Sequence, residues 1–243
     1  MRSLLAPLLL LSSPVLAKPA PVASRTESVG SFDRLRVEGP FEVRVTIGSP
    51  RATITGDPRV TEGVAVRIDG TTLSVRKGTG GWGEQPRGGG NGGGGPIVVT
   101  LSTPGLVSAS VAAGGRLTIA RMRGMKVDVT VSGNGSLALA AADTDQLNAT
   151  LIGTGQMTLA GRAARARLIA SGPGAIDATG LTVNDLIVHL DGVGEVKAAA
   201  RYTAQVTSSG LGTVTVAGNA KCRVDAAAGG PVVCGKPGAV EGK

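Results

Sequence analysis

Residues 127–139 read VDVTVSGNGSLAL, with a strand-like run on each side of a Gly-x-Gly segment. On both sides valine or leucine alternates with polar or small residues, which is the period of a β-strand with one buried face. A helix is excluded because the apolar spacing is two and a glycine pair interrupts the run. The stretch predicts two strands joined by a sharp bend, where glycine tolerates positive φ or a close backbone approach.

The same unit recurs along the C-terminal half of the chain. The second glycine of each copy recurs at spacings of 20, 20, 19, 20, 18 and 18 residues. These glycines, which we interpret as structural corner residues, are Gly115, Gly135, Gly155, Gly174, Gly194, Gly212 and Gly230. One unit cannot bury its own apolar face, so successive units must stack. The repeat predicts an all-β, right-handed parallel β-helix (a solenoid) with coils of about 20 residues, each a strand, a glycine corner, a strand and a short return. We predict the right hand because connections between parallel strands are almost always right-handed.

The composition fits thin, repetitive layers. Aromatic residues make up 2 % of the 243 residues, whereas there are 39 glycines. The core must therefore be filled by valine, leucine, isoleucine and alanine. The hydrophobic fraction of 42 % argues against disorder for most of the chain.

The N-terminus has the features of a secretory signal. Arg2 precedes an apolar run over residues 4–11, and Val15-Leu16-Ala17 provides a peptidase site. We predict a signal peptide at 1–17, cleavage after Ala17, and export to the periplasm or the cell exterior. The apolar run is too short to span a bilayer, and we expect no transmembrane segment in the mature chain.

The remaining chain divides into a tail at 18–30, a single β-helix domain at 31–236 and a second tail at 237–243. Alternation at Val43, Val45 and Ile47, and again over residues 64–75, predicts less regular N-terminal coils. The glycine-rich residues 78–96 contain no phosphate-binding motif and predict a disordered excursion. Trp82 within it is interpreted as a loosely packed cap residue or, alternatively, a binding tip.

Three features together resemble a known family. The opening Ser31-Phe32-Asp33 is followed by a strand-Pro-x-Leu segment at residues 99–106 and then by the serial Gly-x-Gly corners. This order is similar to the auto-transporter adhesin head GIN domain family, a bacterial exported domain of unknown function, over roughly residues 31–236. The resemblance implies an exported β-helix with an adhesin label, and it supplies no catalytic motif.

The net charge of +8 favours anionic partners in general, such as envelope polymers, lipid headgroups or nucleic acid. The lysines and arginines are scattered singly, however, without a basic helix or an aromatic stacking platform. We therefore interpret them as a solvated basic surface and expect no specific nucleic-acid binding.

His189 is the only histidine and is predicted to point outward, between Ile169 and Thr207 of the neighbouring coils. Asp191 lies two residues along the same strand, so a histidine–carboxylate pair is geometrically possible. A solvent-facing strand residue is the preferred interpretation. With a single histidine, we expect no metal site and no cofactor.

Some polysaccharide-degrading enzymes are parallel β-helices, so the carboxylates have to be considered as catalytic residues. Asp177 and Glu195 flank neighbouring corners on the outer side. Glycoside hydrolysis requires two carboxylates in a cleft, which such enzymes build from long loops. The predicted returns here are short, and we expect no catalytic residues and no enzymatic activity.

Cys222 and Cys234 both fall at inward positions of the last regular coil. In an exported protein two cysteines are expected to pair. A disulfide would staple the open end of the solenoid. Two buried thiols are the alternative.

Three functions remain open at this stage. The first is a binding or adhesion module for an envelope polysaccharide or surface protein, acting through outward polar residues. The residues proposed for that surface are Thr130, Thr150, His189, Thr207 and Asp225. The second is a structural or self-assembling envelope protein, although the irregular N-terminal coils and the disulfide resemble caps and favour a monomer. The third is a carbohydrate-active enzyme.

Overall fold

The computed structural model describes residues 23–78, 97–227 and 229–235. Within these ranges the chain is nearly all strand, with one helical turn, α1 (Pro58–Thr61). The predicted signal peptide, the C-terminal tail and all but Gly78 of the predicted glycine-rich excursion lie outside the described residues.

The strands follow one another with short connections. In chain order they are β1 (Ala23–Glu27), β2 (Arg34–Glu38), β3 (Glu42–Ile47), β4 (Arg51–Gly56), β5 (Val64–Asp69), β6 (Thr72–Lys77), β7 (Val98–Thr103), β8 (Ser108–Ala112), β9 (Arg116–Ile119), β10 (Met122–Ser132), β11 (Ser136–Ile152), β12 (Gln156–Ser171), β13 (Ala175–Asp191), β14 (Glu195–Ser208), β15 (Thr213–Gly218), β16 (Lys221–Ala226) and β17 (Val232–Cys234).

The C-terminal strands stack as parallel coils in register. Leu137 pairs with Met157, which pairs with Ile176, and the same row continues through Val196 and Val214. All five side chains are buried. The solenoid makes about six turns, which confirms the predicted all-β solenoid. Its right hand stays a prediction from the crossover preference.

Each coil has three sides, which we number by their place relative to the glycine segment. In β12, side 1 is residues 165–171, which lead into the glycine segment at 172–174. Side 2 is residues 156–158, which follow the glycine segment at 153–155. Side 3 is residues 161–163. The segment predicted as a short return is itself paired strand, so that prediction was wrong. The correction matters because side 3 carries a groove that crosses several coils.

Glycine is required where the coils approach each other most closely. Gly172 has φ +106°, and a Cβ on Gly174 would lie 2.6 Å from the carbonyl oxygen of Gly155 and 2.8 Å from that of Gly153. The Gly174 amide donates to the same Gly153 oxygen at 2.9 Å. Because backbone atoms occupy the space of a side chain, a larger residue would push neighbouring coils apart.

The N-terminal end departs from the predicted coil pattern. The first strands of the regular coils, β2 and β3, do not lie at the end of the stack. Strand β2 lies between β6 and β8, and β3 lies between β7 and β9. Beyond them β5 pairs antiparallel with β6, β4 with β7, and β1 with β4. A two-residue turn at Gly70-Thr71, with Gly70 at φ +59°, favours a hairpin over a further parallel coil.

The prediction of a tail at residues 18–30 was wrong for residues 23–27, which form strand β1. Its five residues, ASRTE, pair along their whole length with β4, so residues 23–27 belong to the folded unit. The strand could not be recognised in the sequence because it has no alternating apolar residues. Its side chains are exposed or half-buried, and its main contribution is to pair the edge of β4.

The C-terminal end is closed covalently. Cys222 and Cys234 form a disulfide, with their Cα atoms 6.1 Å apart. Val224 belongs to the inward row of Val206 but is 42 % exposed. No strand among the described residues pairs with the outer edge of β16, which accounts for this exposure.

Substituting Gly174 by alanine should lower the free energy of unfolding by about 2–3 kcal/mol, because the new Cβ would collide with two backbone oxygens of the preceding coil. Urea denaturation followed by circular dichroism measures the change. Gly105→Ala is the control, because a Cβ there meets nothing within 4 Å. Equal stability of the two variants would contradict the close stacking.

Candidate binding groove on side 3

A groove of about 710 Å³ crosses side 3 of five successive coils. Two outward rows border it, and both run parallel to the solenoid axis. The first row is Arg123, Asp143, Arg162 and Thr182, one residue from each of β10 to β13. The second row includes Asp145, Ala164 and Asn184 from β11 to β13, and Arg201 of β14 continues it. The in-register stacking of the coils is what places these residues side by side.

Small inward residues make up the floor between the two rows. Ala163 of β12 is buried between Thr144 and Val183 of the adjacent coils. The Thr144 hydroxyl lies 3.2 Å from the Met125 carbonyl oxygen and 3.0 Å from that of Gln146. It thereby fixes the bend at which side 3 passes into side 1 of the same coil. The groove is therefore supported by buried contacts, although its rims are exposed.

Asp143 joins two arginines across three coils. Arg162 Nε donates to Asp143 Oδ1 at 2.8 Å, and Arg123 Nε lies 3.4 Å from Oδ2. The hydrogen bond from Arg162 lowers the pKa of Asp143 against a smaller opposing effect of desolvation, and the charges of Arg162, Arg123 and Arg121 add to the lowering. The same bond raises the pKa of Arg162. Both guanidinium side chains are about three-quarters exposed, so the pair orients them more than it stabilises the fold.

A β-bulge presents Arg201 at the C-terminal end of the groove. Val183 pairs with Ala200, but Asp185 pairs with Thr203, so Asn184 faces two residues, Arg201 and Tyr202. Both are exposed, Tyr202 by 63 %. Arg201 makes no hydrogen bond or ion pair with any residue that the structure describes. Bulges of this kind re-aim side chains, and here the bulge leaves a guanidinium available to a ligand.

The surface predicted from the sequence lies elsewhere. Ile169, His189 and Thr207 are neighbours in register on side 1, as predicted, and His189 is half-buried. Asp191 accepts a hydrogen bond from the Ser209 hydroxyl at 3.1 Å. Thr130, Thr150 and Asp225 lie on the same side in other coils. Sequence reasoning missed side 3, although arginines at 123, 162 and 201, spaced by 39 residues, were a usable signal.

The two carboxylates considered for hydrolysis lie on side 2 and are engaged locally. Asp177 accepts from the hydroxyl of Thr179 at 2.6 Å and from its amide at 3.0 Å. These bonds, followed by the charge of Lys197, lower the pKa of Asp177. Glu195 pairs with Lys197 at 2.8 Å, which raises the pKa of that lysine. The hydrogen bonds from Thr179 therefore favour the ionised form of Asp177.

Residues 31–220 match the family described as "Putative auto-transporter adhesin, head GIN domain". The chain belongs to this family. The predicted family resemblance is thus confirmed. No curated protein is detectably similar to the chain.

Solved structures share the fold of this GIN domain at low sequence identity. A crystal structure titled "putative adhesin" from Bacteroides fragilis NCTC 9343 is 19 % identical, with a TM-score of 0.76, covering 88 % of this chain and 96 % of that one. One titled "Putative lipid binding protein" from Parabacteroides distasonis ATCC 8503 is 15 % identical, with a TM-score of 0.67 and coverages of 87 % and 95 %. At this identity the likeness shows the fold alone.

Over the described part of the GIN domain protein, no group of three or more histidine, cysteine, aspartate or glutamate side chains could hold a metal ion. Within the same ranges, no helix has the length and hydropathy needed to cross a membrane. The expectation of no cofactor stays a prediction.

Replacing Arg162 by glutamine should raise the pKa of Asp143 towards its ordinary value of 3.8, because the hydrogen bond and the nearer charge are removed. In the native protein the pair stabilises the fold at neutral pH, and this contribution is lost as the pH falls through the lowered pKa. Carbon-detected NMR titration of the Asp143 carboxyl measures the shift. Arg51→Gln, at an exposed residue of β4 outside the groove, should leave it unchanged. An unaltered Asp143 titration in the Arg162 variant would refute the pairing.

Proposed function

We propose that this GIN domain protein is an exported, non-catalytic binding module of the bacterial cell envelope, and that the side 3 groove is its contact surface. The observation that carries the proposal is the placement of Arg123, Arg162 and Arg201 along one groove of a stacked solenoid. Arg123 and Arg162 are oriented by Asp143, and Arg201 is presented by a bulge. Side chains ordered before binding lose less conformational entropy when a ligand arrives.

Three features support export. Residues 2–17 have the basic start, apolar run and small-residue site of a cleaved signal, with cleavage proposed after Ala17. The family description refers to an auto-transporter adhesin. The Cys222–Cys234 disulfide also fits an oxidising compartment such as the periplasm or the cell exterior.

The electrostatics support a role without catalysis. Hydrolysis of a glycosidic bond needs a general acid whose pKa is raised so that it holds a proton near neutral pH. Asp143 and Asp177 have lowered pKa values instead, because each accepts a hydrogen bond from a neighbouring side chain. Neither carboxyl group is suited to donate a proton to a leaving group.

Structural self-assembly is the second candidate function. Among the described residues β16 pairs with β14 on one edge and with no strand on its outer edge, where Val224 is 42 % exposed. An open edge of this kind can pair with another chain. The antiparallel strands β1, β4 and β5 at the N-terminal end favour the monomer, since end-to-end assembly in a filament requires the parallel stacking to continue across both ends. Light scattering over a concentration series separates the two states.

The envelope proposal is tested with mature protein, residues 18–243, labelled at its N-terminus and sedimented with isolated bacterial cell envelopes. We expect the affinity to fall at least about threefold in the groove variant R123Q/R162Q/R201Q, because three exposed ionic contacts are lost. The control variant R51Q/R67Q/R76Q removes the same charge from exposed residues of the N-terminal strands and should bind like wild type. Binding by neither wild type nor control would refute the proposed function.

A further inference from the structure

We infer that the side 3 groove binds a linear acidic polysaccharide that lies along the solenoid axis, with acidic groups on alternate sugars contacting arginines on alternate coils. The inference rests on the proposed function and names the class of ligand for the same groove. It follows from three properties of the groove: the interval between its arginines, the polar residues between them, and the bulge at its end.

The arginines recur every second coil. Arg123 is on β10, Arg162 is on β12 and Arg201 is on β14. Parallel strands are about 4.8 Å apart, so successive arginines are separated by about 10 Å along the axis. Arg123 and Arg162 belong to the first row and Arg201 continues the second, so a ligand along the groove meets Arg201 from its other side. Each sugar of an extended polysaccharide adds a length close to the spacing of two adjacent coils. A polysaccharide with an acidic group on every second sugar can therefore place one acidic group at each arginine-bearing coil.

The coils between the arginines carry groups suited to sugar hydroxyls. Asp143 and Asp145 lie on the coil between Arg123 and Arg162, and Thr182 and Asn184 lie on the coil between Arg162 and Arg201. Carboxylates accept hydrogen bonds from hydroxyls, whereas an amide and a hydroxyl can both donate and accept. The two aspartates would repel a densely charged polymer such as nucleic acid, which requires a continuous basic surface. Sparse charge with many hydroxyls is the better match.

The bulge adds an apolar surface at the end of the groove. Tyr202 is exposed opposite Asn184 and follows Arg201 directly. An aromatic ring offers a flat apolar face with a hydroxyl at its tip, which suits the C–H face of one sugar ring and its polar edge. Arg201 lines the groove, and the ring of Tyr202 beside it would extend this end to a terminal sugar.

The Asp143 ion pairs make the inference testable by a gain of affinity. Arg123 and Arg162 both contact Asp143 in the free protein, so an acidic ligand must compete with it. Asp143→Asn removes this competition and one negative charge from the groove. We expect this electrostatic gain to outweigh the lost orientation of the two arginines, because the asparagine amide still offers an oxygen to a sugar hydroxyl. Asp69→Asn is the matched control, because Asp69 is exposed at the end of β5, outside the groove.

Calorimetric titration of the mature protein at about 0.15 M salt, where long-range attraction is screened, provides the test. The probe is hyaluronan, which carries a carboxylate on alternate sugars. Neutral dextran, oligothymidylate and phosphatidylglycerol vesicles are the comparison ligands. We expect hyaluronan to bind more tightly than all three. The groove variant R123Q/R162Q/R201Q should weaken binding by about tenfold, D143N should strengthen it about threefold, and R51Q/R67Q/R76Q and D69N should change it by less than about twofold.

Equal losses in the two triple variants would overturn the inference, since binding would then follow net charge. Tighter binding of oligothymidylate or vesicles would overturn it in favour of another class of ligand. Absence of hyaluronan binding, with envelope sedimentation retained and still sensitive to the groove variant, would refute the polysaccharide and leave the proposed function standing. Loss of envelope sedimentation in wild type would refute the proposed function itself.

Discussion

The architecture depends on backbone-to-backbone contact between the glycine segments of successive coils. The Gly174 amide donates to the Gly153 carbonyl one coil away, and Gly212 donates to Gly192 in the same manner. No side chain fits between these segments, so each coil is held at strand spacing from the next on all three sides. The inward valines, leucines and alanines can then form continuous rows, and burial of each such row supplies the stabilising free energy.

The same contact determines what the outer surface can present. When coils stack in register, a residue type repeated at the coil period becomes a row, and from β10 to β12 residues 39 apart in the sequence face the same direction. Arg123 and Arg162 are brought to one carboxylate, Asp143, in this way. Arg201 needs the additional residue of the β14 bulge to face the groove. The groove therefore arises from regular stacking together with one local irregularity.

The sequence was sufficient to predict sides 1 and 2 but not side 3. Before and after each glycine segment, apolar and polar residues alternate, so the inward rows and the neighbours of His189 were predicted correctly. Over residues 138–142, ALAAA, alanine occupies inward and outward positions alike, which makes a period of two invisible. Strand β1 lacked an apolar pattern for a different reason, because it pairs with an edge rather than covering the core. The 39-residue spacing of Arg123, Arg162 and Arg201 was a signal for the groove, but it could be interpreted only once side 3 was known to be a strand.

The most direct test of parallel, in-register stacking is a set of distances between spin labels on one outward row of side 2. Thr118, Ala138, Thr158, Asp177 and Lys197 are successive members of this row. Labels at 118 and 158 should be about 10 Å apart, and labels at 118 and 197 about 19 Å apart, because each coil adds about 4.8 Å. Electron paramagnetic resonance measures both distances. A separation that does not increase with the number of intervening coils would contradict the solenoid and the placement of every residue in the groove.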